Sequence, residues 1–217
     1  MIIIGLKMEK MNKVELIENY LDYLYPNPKC ELNYNKDYEL LISVVLSAQT
    51  TDKSVNMVTP ILFSNYPSLK ALKEAKIEDI IDIIKPIGTY NKKAIYIKEI
   101  ARLLDEEYNG TVPNNLKELE KLPGVGRKVA NVILYEWFKI PAIAVDTHVN
   151  RVSKRLNLSK DSDDVLKVEK KLEKIFPKSD WGKRHLQLVL FGRYQCKSIK
   201  PLCNECKLKD ICKNKKG

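Results

Sequence analysis

The sequence predicts an all-α fold, on three observations. Apolar residues recur at helical spacing along most of the chain. Proline or Asn-Gly punctuates the stretches between them. No segment shows alternating strands joined by hairpin turns. The first element is an amphipathic helix marked by Leu16, Ile17, Tyr20, Leu21 and Leu24, which stops before Pro26. Residues 38–46 are nearly continuous and apolar, which suits a buried helix entering the loop Ser47-Ala48-Gln49-Thr50-Thr51-Asp52. The run Ser43-Val44-Val45 is also compatible with a strand, but helical signals on both sides favour helix. Helices are expected over 52–64, 68–73, 77–84 and 91–108, separated by Pro67, Pro86 and Asn109-Gly110. Asn115 with Glu118 three residues later is a capping-box signature for a helix to Lys121. A helix over 127–138 follows, Pro141 closes that region, and the remaining helices are expected over 147–156, 165–175 and 183–191.

A chain of 217 residues makes one large domain or two small ones. Lys and Arg total 38 against 28 Asp and Glu, a net charge of +10. The excess points to a polyanionic partner, nucleic acid ahead of an acidic membrane, although a lysine-rich solvated surface has the same composition. No segment reads as a membrane span. The apolar start at residues 2–4 is too short for a signal core, its lysines follow rather than precede it, and translation from Met8 or Met11 would omit it. A cytoplasmic, nucleoid-associated monomer is expected, or a nuclear one in a compartmented cell. There is no repeat and no low-complexity tract. The tail after Cys196 holds seven lysines and two acids.

The most informative local string is LPGVGRK, residues 122–128. One helix ends at Leu122 and another begins after Gly126, with only Pro-Gly-Val-Gly between. Gly124 and Gly126 permit backbone angles that other residues avoid and let a phosphate approach the main chain. Val125 packs between the helices, while Arg127 and the bare amides of the second helix present positive charge to an anion. This is a helix–hairpin–helix reading. A tight turn with glycine used only for geometry is the plainer alternative, and the full string in a basic all-α chain outweighs it. Contacts of this kind hold backbone phosphate and carry no sequence preference.

Cys196, Cys203, Cys206 and Cys212 are separated by six, two and five residues. In a reducing compartment four such thiols hold a metal centre rather than disulfides. Zinc and an iron–sulfur cluster are the candidates. Zinc ribbons pair two short knuckles and only one is present, so the uneven spacing fits a cubane cluster better. Lys197 and Lys200, in the loop between the first two cysteines, offer basic groups to DNA. Arg193 could bridge this region to DNA or to a helix end. Cys30 stands apart and reads as a buried structural thiol.

Several strings together, in order, resemble the endonuclease III family of DNA glycosylases. They are LLISVVLSAQTTD (40–52), IGTYNKKA (87–94), ELEKLPGVGRKVANVI (118–133), AVDTHVNRV (144–152), GRYQC (192–196) and the cysteine spacing. The resemblance spans residues 31–212. It implies two helical domains flanking a DNA cleft: a six-helix barrel over 30–140 containing the helix–hairpin–helix, and a domain of 1–29 plus 141–217 carrying a 4Fe–4S cluster on the four cysteines. In such enzymes the cluster is structural or DNA-contacting.

The resemblance places the nucleophile at Lys128. An amine attacks a sugar C1′ only when neutral, and a helix N-terminus disfavours positive charge. It assigns Asp146 as a carboxylate that stabilises charge developing at C1′ and helps move protons. Asp before Thr-His-Val-Asn is equally a natural helix N-cap, and different oxygens can serve both roles. The implied activity is bifunctional: removal of oxidised pyrimidines, then β-elimination at the abasic site through a lysine Schiff base. The implied partner is double-stranded DNA with a damaged or abasic nucleotide rotated out of the stack. Gln49 matches a residue that inserts into the duplex, and Ile87 falls in the second intercalating loop. Thr89 departs from the pattern, where leucine is common, so a shorter and more polar wedge is expected. His148, in VDTH, touches phosphate or the flipped nucleotide, or is structural. Two alternatives stand beside this reading. A mismatch glycosylase for thymine, uracil or adenine generally lacks a lysine at 128, and a non-catalytic cluster-containing DNA-binding module needs neither Lys128 nor Asp146.

Overall fold

The computed structural model describes residues 12–214, so the apolar start at residues 2–4 lies outside the described residues. The described residues are helical, with no strand among them. The chain divides into two compact units. One is Cys30–Ile140, and the other joins residues 12–29 to 141–214.

The joined unit begins with α1, Lys13–Leu24. Asn12 caps it by accepting from the amides of Val14 and Glu15, and the Glu15 carboxylate accepts in return from the Asn12 amide. That reciprocal pair satisfies donors the helix leaves bare at its start.

The Cys30–Ile140 unit carries α2 (Asp37–Leu46), α3 (Asp52–Asn65), α4 (Leu69–Glu74), α5 (Ile77–Ile84), α6 (Tyr90–Glu106), the single turn α7 (Leu116–Leu119) and α8 (Arg127–Glu136). Every residue of α2 after the first is buried, which explains its continuous apolar run. It packs on α3, α6 and α8, while α6 packs on α4 and α5. Such all-round burial makes α2 the axis of this core. Helix α6 ends at Glu106, two residues before the expected limit. Asn109 takes a left-handed φ of 51°, and the Gly110 amide returns to the Leu104 carbonyl, closing the helix end. The expected capping box at Asn115 is half formed. Asn115 accepts from the Glu118 amide, but Glu118 turns its carboxylate to Lys121 and Tyr108, and α7 stops after one turn.

The joined unit continues with α9 (Thr147–Arg155), α10 (Val165–Ile175) and α11 (Trp181–Leu190). Ile17 and Leu21 of α1, Val149 and Val152 of α9, Leu172 of α10 and Phe191 form one buried cluster. Helix α11 runs into a π-helical turn at Phe191–Gln195, packed on α9. A Cβ at Gly192 would stand 2.8 Å from the His148 Cβ, so only glycine permits this approach. A network of Arg184, Gln187 and Lys183 on Asp22 ties α11 to α1.

Candidate nucleic-acid interface and cysteine pocket

The hairpin is built as a tight turn between α7 and α8. The Val125 amide donates to the Leu122 carbonyl at 3.1 Å, and both side chains are buried. Gly124 holds φ at 75°, and a Cβ there would lie 2.6 Å from the Tyr96 ring and 3.1 Å from Val45. Gly124 is therefore required by geometry and packing together. Gly126 differs. It is the N-cap of α8 with an extended backbone, and a Cβ would meet nothing within 4 Å. No side chain caps this helix. A helix start without a side-chain cap is the setting in which an anion binds.

Lys128 is the second residue of α8 and is half-buried. Among the described residues its amine has no hydrogen-bond or ion-pair partner. Arg127 beside it is partnered.

Gln49 lies in the turn between α2 and α3, exposed, with a left-handed φ of 56°. The loop before α6 adjoins it: a Cβ on Gly88 would stand 3.8 Å from the Gln49 carbonyl oxygen and 4.0 Å from the Thr50 hydroxyl. Thr89 is exposed, also left-handed at 58°, and its hydroxyl donates to the Gly88 carbonyl. Ile87, expected among the DNA-contacting residues of this loop, does not present its side chain to solvent. It is 1% exposed, with its amide held by the Ile84 carbonyl, so it anchors the loop from beneath. An isoleucine bracketed by Ile84 and Ala94 in the apolar pattern belongs to the core for the same reason they do.

Asp146 is the N-cap of α9, half-buried, and one carboxylate oxygen accepts from the Val149 amide at 2.8 Å. His148 is bonded through Nδ1 to Arg151 at 3.2 Å. Arg151 also donates to the carbonyls of Gly192 and Cys196. Arg155, one turn further, donates to Cys196 Sγ at 3.4 Å and to the Lys197 carbonyl at 2.7 Å. These two arginines fasten the cysteine loop to α9. Sequence reasoning missed them, although a basic pair at i,i+4 on one helix face was visible. Arg193 is half-buried and partnered, whereas Lys197 and Lys200 are exposed.

All four tail cysteines line one pocket with about 380 Å³ of atom-free space, part of it continuous with solvent. Cys196, Cys206 and Cys212 rest against the buried cluster of their own unit, and none of the five cysteines is in a disulfide. Burial raises the Cys206 and Cys212 thiols above their ordinary value, and the neighbouring cysteines add to the rise. Such crowding of thiolates is what a bound cation relieves. Among the described residues no three acidic, histidine or cysteine side chains gather as ligands of one metal ion. Four thiols lining one pocket are a donor set of the kind that holds a thiolate-ligated metal centre. Cys30 belongs to the other unit and is half-buried rather than fully buried.

The all-helical architecture and this turn define a helix–hairpin–helix protein. Residues 42–178 match the family described as HhH-GPD superfamily base excision DNA repair protein. Endonuclease III of Bacillus subtilis (strain 168) is 44% identical over 206 residues, covering 95% of this chain and 94% of that protein. Two solved structures superpose closely, each at 44% identity and covering 94% of this chain and 96% of the other. One is a trapped endonuclease III–DNA covalent intermediate in an estranged-adenine complex, at a TM-score of 0.89. The second is a non-covalent endonuclease III–DNA complex, at 0.90. The chain belongs to the endonuclease III family within the HhH-GPD superfamily. No helix among the described residues is long and apolar enough to cross a membrane.

Proposed function

We propose that the chain removes oxidised pyrimidines from duplex DNA and then cleaves the abasic site by β-elimination, with Lys128 as nucleophile. The observation that carries this reading is the position of Lys128 on the first turn of α8, its amine unpartnered among the described residues, at a helix start that no side chain caps. The solved endonuclease III complexes with DNA, one of them covalent, support it.

The hairpin amides and Arg127 hold backbone phosphate, and the Gln49 turn with the loop at Thr89 occupies the gap left by the flipped nucleotide. The neutral Lys128 amine attacks C1′, a C–N bond forms, and the base leaves with the electron pair of its glycosidic bond and takes up a proton. The attached amine loses a proton and the ring C1′–O4′ bond opens, giving a Schiff base. Removal of the C2′ proton then breaks the C3′–O bond and expels the 3′ phosphate. Water finally hydrolyses the imine and frees Lys128. Asp146 has one oxygen engaged as N-cap and the other available to stabilise positive charge at the sugar and to move protons. His148, Arg193, Lys197 and Lys200 contribute phosphate contacts.

The unit Cys30–Ile140 serves as the six-helix barrel, and the joined unit as the iron–sulfur domain. Cys196, Cys203, Cys206 and Cys212 would hold a 4Fe–4S cluster. When bound, it would supply a covalent tie that fixes the cysteine loop. We take the protein to act as a monomer in the cytoplasm, on the nucleoid. Borohydride added to the native protein with abasic-site duplex tests the reading. A covalent protein–DNA adduct is the expected result, and its absence overturns the lyase mechanism. A mismatch glycosylase working through water would trap no adduct, and would release base only from a duplex that still carries the mismatched base.

A further inference from the structure

Lys93, on the inner face of α6, is 3% exposed. Its ammonium donates to the carbonyls of Leu46 at 2.9 Å and Ala48 at 2.8 Å and to the Thr50 hydroxyl at 3.0 Å. All three donors of the group are used. No carboxylate pairs with it among the described residues, and burial alone pushes the amine below its ordinary value. An interior charge resting only on neutral dipoles is unfavourable, and the carbonyls at the C-terminal end of α2 offset part of that. Lys93 therefore has an acceptor set drawn from residues 46–50 and from nowhere else.

Those residues form the turn that carries Gln49. Within the turn the Ala48 amide reaches the Val45 carbonyl only at 3.3 Å, the Thr50 amide donates to the Ser47 carbonyl at 3.1 Å, and Gln49 sits in left-handed backbone. The Lys93 amide also donates to the Thr89 carbonyl, so one residue holds both neighbouring loops. We propose that Lys93 is a positioning residue for base excision, pinning the Gln49 turn in the shape that inserts into the duplex. The proposal rests on the inserting role of Gln49 given above. Lys93 touches no reacting atom. Its contribution is to remove the turn's freedom before DNA arrives, so that ordering it costs nothing at the moment of binding.

The test uses the full chain with Lys93→Met, and Thr50→Val as a milder variant that leaves the ammonium in place. Amide hydrogen exchange is read over residues 47–51. Single-turnover base release is then read in the native and Gln49→Ala backgrounds. Exchange at 47–51 is expected to quicken about tenfold in Lys93→Met and severalfold in Thr50→Val, with other segments unchanged. Base release is expected to fall about tenfold in Lys93→Met, but less than about twofold once Gln49 is already alanine. Unchanged exchange over 47–51, or an equal loss in both backgrounds, overturns the proposal. Native rates from Gln49→Ala alone overturn it as well, because the turn then does nothing that needs pinning. A native protein that releases no base refutes the enzyme reading instead, and the exchange comparison still decides whether the pin exists. If Lys93→Met fails to fold, Thr50→Val carries the test with the same signs.

Discussion

Replacing Gly124 and Gly126 by alanine, one at a time, separates the two uses of glycine in the hairpin. At Gly124 the φ of 75° is retained by alanine only at a cost of about 1–2 kcal/mol. The new methyl lies 2.6 Å from the Tyr96 ring and 3.1 Å from Val45, and such overpacking costs about 1–3 kcal/mol more. Tyr96 is half-buried and can swing outward, which favours the lower part of the combined range of about 2–5 kcal/mol. For a chain of this length each kcal/mol lowers Tm by about 2–4 °C, so a fall of roughly 5–15 °C is expected. At Gly126 the backbone is extended and a Cβ meets nothing within 4 Å, so Gly126→Ala is expected to stay within about 0.5 kcal/mol of native. Its methyl would instead hold a phosphate away from the α8 amides and weaken DNA binding severalfold at fixed salt. Urea unfolding followed by circular dichroism measures the first quantity, and fluorescence anisotropy with duplex DNA the second. A stable Gly124→Ala protein refutes the packing argument. A Gly126→Ala protein with native DNA affinity refutes the phosphate argument.

Substitutions at three further residues address the rest of the molecule. Asp146→Asn keeps a good N-cap while Asp146→Ala loses about 1 kcal/mol, and both are expected to lose base release by at least about a hundredfold. Full activity in Asp146→Asn would reduce the residue to its cap. Burial alone would raise the Asp22 carboxyl, but hydrogen bonds from Lys183, Gln187 and Arg184 hold it at about 2. A folded value below the ordinary 3.8 means this stabilisation is present above about pH 4 and lost as pH falls toward 2. Acid titration by circular dichroism is expected to show a flatter acid limb in Asp22→Asn, and an unchanged limb contradicts the account. Cys203→Ser is expected to lower iron and sulfide content together and to bleach the broad visible absorbance of the native protein. A colourless native protein containing zinc would contradict the cluster.

Helical periodicity made the all-α class legible, because most helices bury a single face. Helix α10 was read with the same bounds the structure has, since its apolar stripe is clean and Pro177 follows closely. Boundaries failed where a side chain chose a different partner. Glu118 turned to Lys121 and Tyr108 instead of closing a capping box, and Asn109 supplied an early left-handed stop. Among the site residues, the hairpin was legible because glycine, proline and a following lysine leave few other conformations. The burial of Ile87 was not legible, because a loop isoleucine reads alike whether it points to solvent or core. The burial of Lys93 was missed because a lysine on an apolar stripe is ordinarily read as snorkelling outward. Its position four residues before Ile97 on the inner face of α6 was the available signal.

The most direct test of the central claim is peptide mapping of the borohydride-trapped adduct by mass spectrometry. The account predicts that the sugar fragment is attached to Lys128 and that Lys128→Ala traps nothing while retaining DNA affinity within about threefold, since one phosphate-facing charge at most is lost. Attachment to any other lysine, or an undiminished adduct in Lys128→Ala, would contradict it.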